Sequence, residues 1–109
     1  MDSLEPFAVA GADFFECAQI VGAALGVELR REPSRSSGGW WYVAQVSQVS
    51  LLLRPNEHPA GSFLFHDFRE HPFLLLASGN DLSSVHRALT ERGSGRVIFL
   101  KRELLEPPN

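Results

Sequence analysis

The chain has 109 residues, of which 44% are hydrophobic and 21% charged, and its 13 acidic and 10 basic side chains leave a net charge of −3. This is the size and make-up of one globular domain that can bury a core without staples. A disulfide framework is excluded because Cys17 is the lone cysteine, and a helical membrane span is excluded because apolar runs such as 73–77 fall far below the roughly 18 residues required.

Charge is unevenly placed. Residues 1–29 hold five acids (Asp2, Glu5, Asp13, Glu16 and Glu28) and no Lys or Arg, whereas 30–109 hold ten basic and eight acidic residues. No basic face is evident, which argues against nucleic-acid binding. An acidic N-terminal third suits a basic partner. The first residues carry acids where a secretory leader carries bases, so the chain is expected to start near residue 1 and to stay in the cytoplasm.

The first predicted element is a helix over 13–25. Asp13 and Glu16 have capping-box spacing, and Phe14, Cys17, Ala18, Val21, Ala24 and Leu25 form one apolar stripe. Cys17 therefore reads as a small buried hydrophobe. Gly26 suits a left-handed stop, and Gly22 suggests close approach to a sheet. Residues 27–30 alternate as a short edge strand, and 33–39 has the composition of a flexible loop. In 40–54 the apolar parity changes near Ser47-Gln48. That predicts either two strands or one strand bent by a bulge; Ser-Gln is a poor tight-hairpin pair. Residues 56–61 form a turn, 63–68 a strand and 69–72 another turn. Residues 73–77 are apolar on both parities, the mark of a central strand covered on both faces or of one with a face held for a partner. A second helix over 81–92 has Gly79-Asn80-Asp81 at its start, Leu82, Val85 and Leu89 as its stripe, and Gly93 at its end. A last strand follows over 96–102, then a tail over 106–109.

These elements predict a single α+β domain, 1–109, in the order α-β-β-β-β-β-α-β. Five to six strands make an antiparallel or mixed sheet, with both helices packed on one face. Trp40 and Tyr42 share one side of their strand and Trp41 takes the other. A sheet covered on one face would leave Trp41 as a large aromatic on the open side, the type of residue that anchors protein interfaces.

The densest cluster of chemistry-bearing side chains is His66-Asp67-Phe68-Arg69-Glu70-His71, with Glu57 and His58 one turn earlier. On a strand, His66 and Asp67 point to opposite faces, and Pro72 opposes a helix that would align them. No metal-ligand motif, phosphate loop or nucleophile elbow is present. The sequence therefore predicts no catalytic, cofactor or metal site. It predicts a partner-binding surface of Trp41, Glu57, His58, Asp67, Arg69, Glu70 and His71.

In size, acidity and element order the chain resembles the small cytoplasmic immunity proteins of bacterial polymorphic toxin systems. That resemblance implies a non-enzymatic inhibitor, a monomer or homodimer, that blocks the active site of a basic-surfaced toxin. The chain also resembles class I type III secretion chaperones, which begin with a helix, dimerise and bind an effector segment. It departs from them by ending in a strand and Pro107-Pro108. A third expectation is a small metal- or ligand-binding enzyme domain using His66 and His71.

Overall fold

The computed structural model describes residues 3–33, 39–56 and 70–100. The elements run β1 (Ser3–Val9), α1 (Phe14–Leu25), β2 (Arg30–Pro33), β3 (Trp40–Val46), β4 (Val49–Pro55), β5 (Phe73–Gly79), α2 (Ser83–Arg92) and β6 (Val97–Phe99). The strands form one open sheet in the order β2-β3-β4-β5-β1-β6, with every pair antiparallel. The fold is thus α+β, with six antiparallel strands and two helices among the described residues.

The expected order is corrected at the start. A strand precedes α1, and it lies inside the sheet between β5 and β6. Pro6 hides this strand from a sequence reading, because proline cannot donate to a ladder. The ladder geometry explains why it is tolerated. The Leu100 amide donates to the Pro6 carbonyl and the Ala10 amide to the Arg96 carbonyl. Antiparallel pairs alternate between bonded and non-bonded, so residues 6, 8 and 10 bond toward β6 while 5, 7 and 9 bond toward β5. Pro6 therefore loses one bond at the end of the short β1–β6 ladder and none from β5. Pro6, Phe7, Ala8 and Val9 are all buried.

α1 starts with the Asp13 half of the expected capping box, while its return bond is displaced by one residue. The Glu16 amide donates to the Asp13 carboxylate at 2.8 Å, and the Glu16 carboxylate reaches back to the Ala12 amide at 3.2 Å, one residue ahead of the cap. Gly26 ends the helix at φ 69°, a conformation that favours glycine. Gly22 lies close to the departing chain and not to the sheet: a Cβ there would stand 2.6 Å from the Val27 carbonyl oxygen. The next strand begins three residues later than expected, at Arg30, because Val27 and Leu29 owe their spacing to packing on the main core.

Residues 40–54 form two strands joined by a tight hairpin. Val46 pairs with Val49 across Ser47-Gln48, and Ser47 takes the turn's positive φ, 56°. This settles the alternative in favour of a turn, with an ordinary serine in a place usually given to glycine. The expected strand at 63–68 lies outside the described residues. β5 is the doubly covered strand its composition implied: Leu74, Leu75 and Ala77 are wholly buried. α2 begins at Ser83 without a side-chain cap from Leu82. Instead, the Asp81 carboxylate accepts from the Ser83 amide at 3.0 Å and from its hydroxyl at 2.6 Å. Those bonds hold the Asp81 carboxyl below its ordinary pKa.

One core cluster joins Cys17, Val21 and Ala24 of α1, Val85 and Leu89 of α2, and the sheet residues Phe7, Val9, Tyr42, Leu51, Leu53, Leu75 and Ala77. The paired registers put those sheet residues on one side-chain parity. The opposite parity carries a smaller buried cluster, Ala8, Leu74 and Leu100. The outer edge of β2 is built from Arg30, Arg31, Glu32 and Pro33, with Arg30 and Glu32 paired at 3.6 Å.

Cys17 is fully buried, its thiol 3.5 Å from the Val9 carbonyl. Burial pushes its pKa above the ordinary value, with a smaller opposing contribution from a backbone hydrogen bond to Gly11. The native thiol is expected to resist a thiol-specific reagent at pH 8 and to react fully in denaturant, as a time-resolved thiol assay would read. The folded state holds this proton more tightly than the unfolded chain. Stability should therefore decline as pH rises beyond the unfolded thiol value of about 8.5.

Candidate functional site

Two regions bring polar and aromatic side chains together. The first surrounds Trp41. In register it stands opposite Glu32 of β2, one position beyond the Tyr42–Leu53 pair that joins β3 to β4, on the parity opposite Tyr42, as the alternation predicted. Trp41 is half-buried, as are Val43 and Leu52 on the same parity. Burial lowers the Arg54 pKa, and its Nε donates to the Pro55 carbonyl at 3.1 Å. Trp40 faces the other way, 51% exposed, with the Arg31 guanidinium 4.9 Å from its ring centre, a cation–π contact. At the same end of the sheet, Phe14 of α1 stacks on Phe73 and meets Tyr42 edge-on.

Of the other expected contact residues, Glu70 and His71 lie just ahead of β5, with His71 Nε2 3.7 Å from the Glu70 carboxylate. The backbone amide of Asn56, at the end of β4, donates to the Pro72 carbonyl. Together with the Pro55–Phe73 pair, this places Glu70 and His71 at the Trp41 end of the sheet. Glu57, His58, His66, Asp67 and Arg69 lie outside the described residues. Among the described residues no group of three or more His, Cys, Asp or Glu is arranged to hold a metal ion.

The second region was not anticipated. Ser3, Glu5, Asn80, Asp81, Ser83, His86 and Arg87 line an open cleft of about 450 Å³. His86 Nδ1 lies 3.1 Å from the Glu5 carboxylate, although the two are separated by 81 residues. The Glu5 side chain is 16% exposed and that of His86 34%. The imidazole also packs edge-on against Phe7 and Phe99, with ring centres 5.4 and 4.7 Å apart. A carboxylate on Nδ1 fixes the imidazole tautomer and orientation, the arrangement a general base uses. The nearby Ser83 hydroxyl is committed to Asp81, so this geometry orients the ring and ties β1 to α2. No sequence signal could have found it, because only the crossing of β5, α2 and β6 around β1 brings residues 5 and 86 together.

The pair also alters the reading of the acidic third. Glu5 is bound to His86, Glu16 accepts from Arg96 at 3.2 Å, and Asp13 caps α1. A double-mutant cycle with Glu5→Gln and His86→Ala should give a coupling energy of about 1–2 kcal/mol by urea denaturation. Additive losses would mean that the contact contributes no stability.

No family model, curated protein or solved structure matches this chain.

Proposed function

We propose that the chain is a non-enzymatic protein-binding module of the immunity or inhibitor type, which acts in the bacterial cytoplasm by blocking the active site of a cognate toxin. The observation that carries this reading is the setting of Trp41: a half-buried indole opposite Glu32 of β2, with Val43 and Leu52 half-buried on the same parity. An aromatic anchor with apolar neighbours and a charged residue across the strand has the composition of an interface hot spot. Glu70, with 64% of its side chain exposed, adds an acid at the same end, where it steers a basic partner and raises its association rate. The other rim residues of the proposed surface are His71, Glu57, His58, Asp67 and Arg69. No helix among the described residues is long and apolar enough to cross a membrane.

The test uses the product of the gene immediately upstream as the probe. On this reading that product is toxic when expressed alone, and co-expression of the present chain restores growth. Trp41→Ala combined with Glu70→Arg should weaken capture at least tenfold, about 1.4 kcal/mol, in a titration with the purified probe. A harmless upstream product, or unchanged affinity of the double variant, overturns the proposal.

A further inference from the structure

The outer side of α1 borders a groove that shares no residue with the Trp41 surface. Phe15, Ala18 and Ala23 fall on one side of the helix. With Val27 and Leu29 of the segment that follows, and Tyr42 of β3, they line an open cleft of about 370 Å³, within the range of small-molecule sites. The alanines are what leave the space unfilled. Phe15 forms an apolar lip and is 60% exposed, the highest value of any large hydrophobic residue among those described.

Two polar groups lining this groove have no partner among the described residues. The first is the Tyr42 hydroxyl. Tyr42 is 8% exposed and Phe14 meets its ring edge-on, yet the hydroxyl makes no hydrogen bond to a described residue. Among those residues no fully buried polar side-chain atom lacks a partner. The Tyr42 oxygen is therefore the open tip of an otherwise enclosed side chain, and the space it opens on is the groove it lines. An enclosed phenol ordinarily finds a partner for its hydroxyl; here the partner has to come from outside. The second group is the Glu28 carboxylate, the one charged group lining the groove. Glu28 forms no ion pair among the described residues, whereas Glu5, Asp13 and Glu16 are all committed within the fold. The cations that follow it in the chain are engaged elsewhere, Arg30 with Glu32 and Arg31 over the Trp40 ring.

We propose that this groove binds a hydroxyarylalkylamine, a small molecule with a hydroxyl at one end of an aromatic ring and an alkylammonium at the other. The aryl body lies against Phe15, Val27 and Leu29. Its hydroxyl reaches Tyr42 at the enclosed end, where two O–H groups satisfy each other as donor and acceptor. Its ammonium stays at the mouth with Glu28, whose side chain is exposed. At neutral pH such an amine is charged and a phenol is not, so the ligand matches the groove at both ends. An anion is disfavoured, because the groove offers a carboxylate and no cation. A purely apolar molecule would leave the Tyr42 hydroxyl unpaired. The groove lies on the helix-covered side of β3, since Tyr42 and Trp41 alternate, so this site and the proposed toxin-facing surface succeed or fail separately.

Tyramine is the probe, titrated into the wild-type chain and followed in its amide NMR spectrum. So small a ligand is expected to bind with a dissociation constant on the order of 0.1–1 mM, with shifts centred on Phe15, Ala23, Glu28 and Tyr42. Phenethylamine, which lacks the hydroxyl, should bind at least threefold more weakly, and para-ethylphenol, which lacks the amine, at least fivefold more weakly. Tyr42→Phe removes a hydroxyl the fold does not use. It should leave the thermal midpoint unchanged and reduce tyramine to the affinity of phenethylamine, with phenethylamine itself unaffected. Glu28→Gln should reduce tyramine to the affinity of para-ethylphenol. Ala23→Leu fills the groove from an exposed helix position and should abolish binding with an unchanged circular dichroism spectrum. N-acetyl-lysinamide, the equivalent side chain of a protein partner, should bind at least tenfold more weakly than tyramine because it lacks the ring. The assignment is overturned by the absence of saturable shifts up to about 10 mM tyramine, by wild-type affinity in Tyr42→Phe, Glu28→Gln or Ala23→Leu, or by N-acetyl-lysinamide binding as tightly as tyramine.

Discussion

Replacing Phe7 with alanine is expected to destabilise the fold by about 3–5 kcal/mol, a large part of the 5–15 kcal/mol that holds a typical domain together. Phe7 is 1% exposed. It stands in register with Leu75 on one side and Phe99 on the other, and its ring meets both His86 and Phe99. One truncation would therefore open a cavity beneath β5, α2 and β6 together, in a region with little freedom to collapse. Urea denaturation of the variant should show a large fall in midpoint with little change in slope. A loss below about 1 kcal/mol, the range of exposed positions, would mean that the N-terminal segment is not an inner strand.

Gly79→Val should also be strongly destabilising, by about 2–3 kcal/mol, the range of overpacked sites. Strand propensity alone predicts the opposite sign, because valine is a better strand former than glycine by up to about 1 kcal/mol. Space decides against propensity. A Cβ on Gly79 would stand 2.8 Å from the Gln48 carbonyl oxygen and 3.4 Å from the Val49 Cα, and backbone at a tight turn cannot yield as a long side chain can. The close contact arises because the β3–β4 hairpin folds its turn against the end of β5. Thermal unfolding of Gly79→Val and Gly79→Ala should rank both below wild type, with valine lower; a stabilised valine variant would mean that the turn stands clear of β5.

How far the fold could be read depended on whether the signal was local. The Asp13–Glu16 capping pair, the stripes of Cys17, Val21 and Ala24 and of Leu82, Val85 and Leu89, and the double burial of 73–77 are patterns within a few residues, and each is present in the structure. The parity change at Ser47-Gln48 was visible, but the choice between bulge and hairpin was not, because Ser47 takes a positive φ that its identity does not demand. β1 was missed because Pro6 interrupts it, and its tolerance depends on which neighbour residue 6 bonds toward, a property of the assembled sheet. The site divides in the same way. The facing of Trp41 away from Tyr42 follows from strand alternation alone. The Glu5–His86 contact follows only from β5, α2 and β6 embracing β1, a long-range arrangement that leaves no periodic trace.

The proline and mixed charges along Arg30–Pro33 bear on how large any assembly can become. A margin of that make-up resists the edge-to-edge addition of strands by which sheets extend from molecule to molecule.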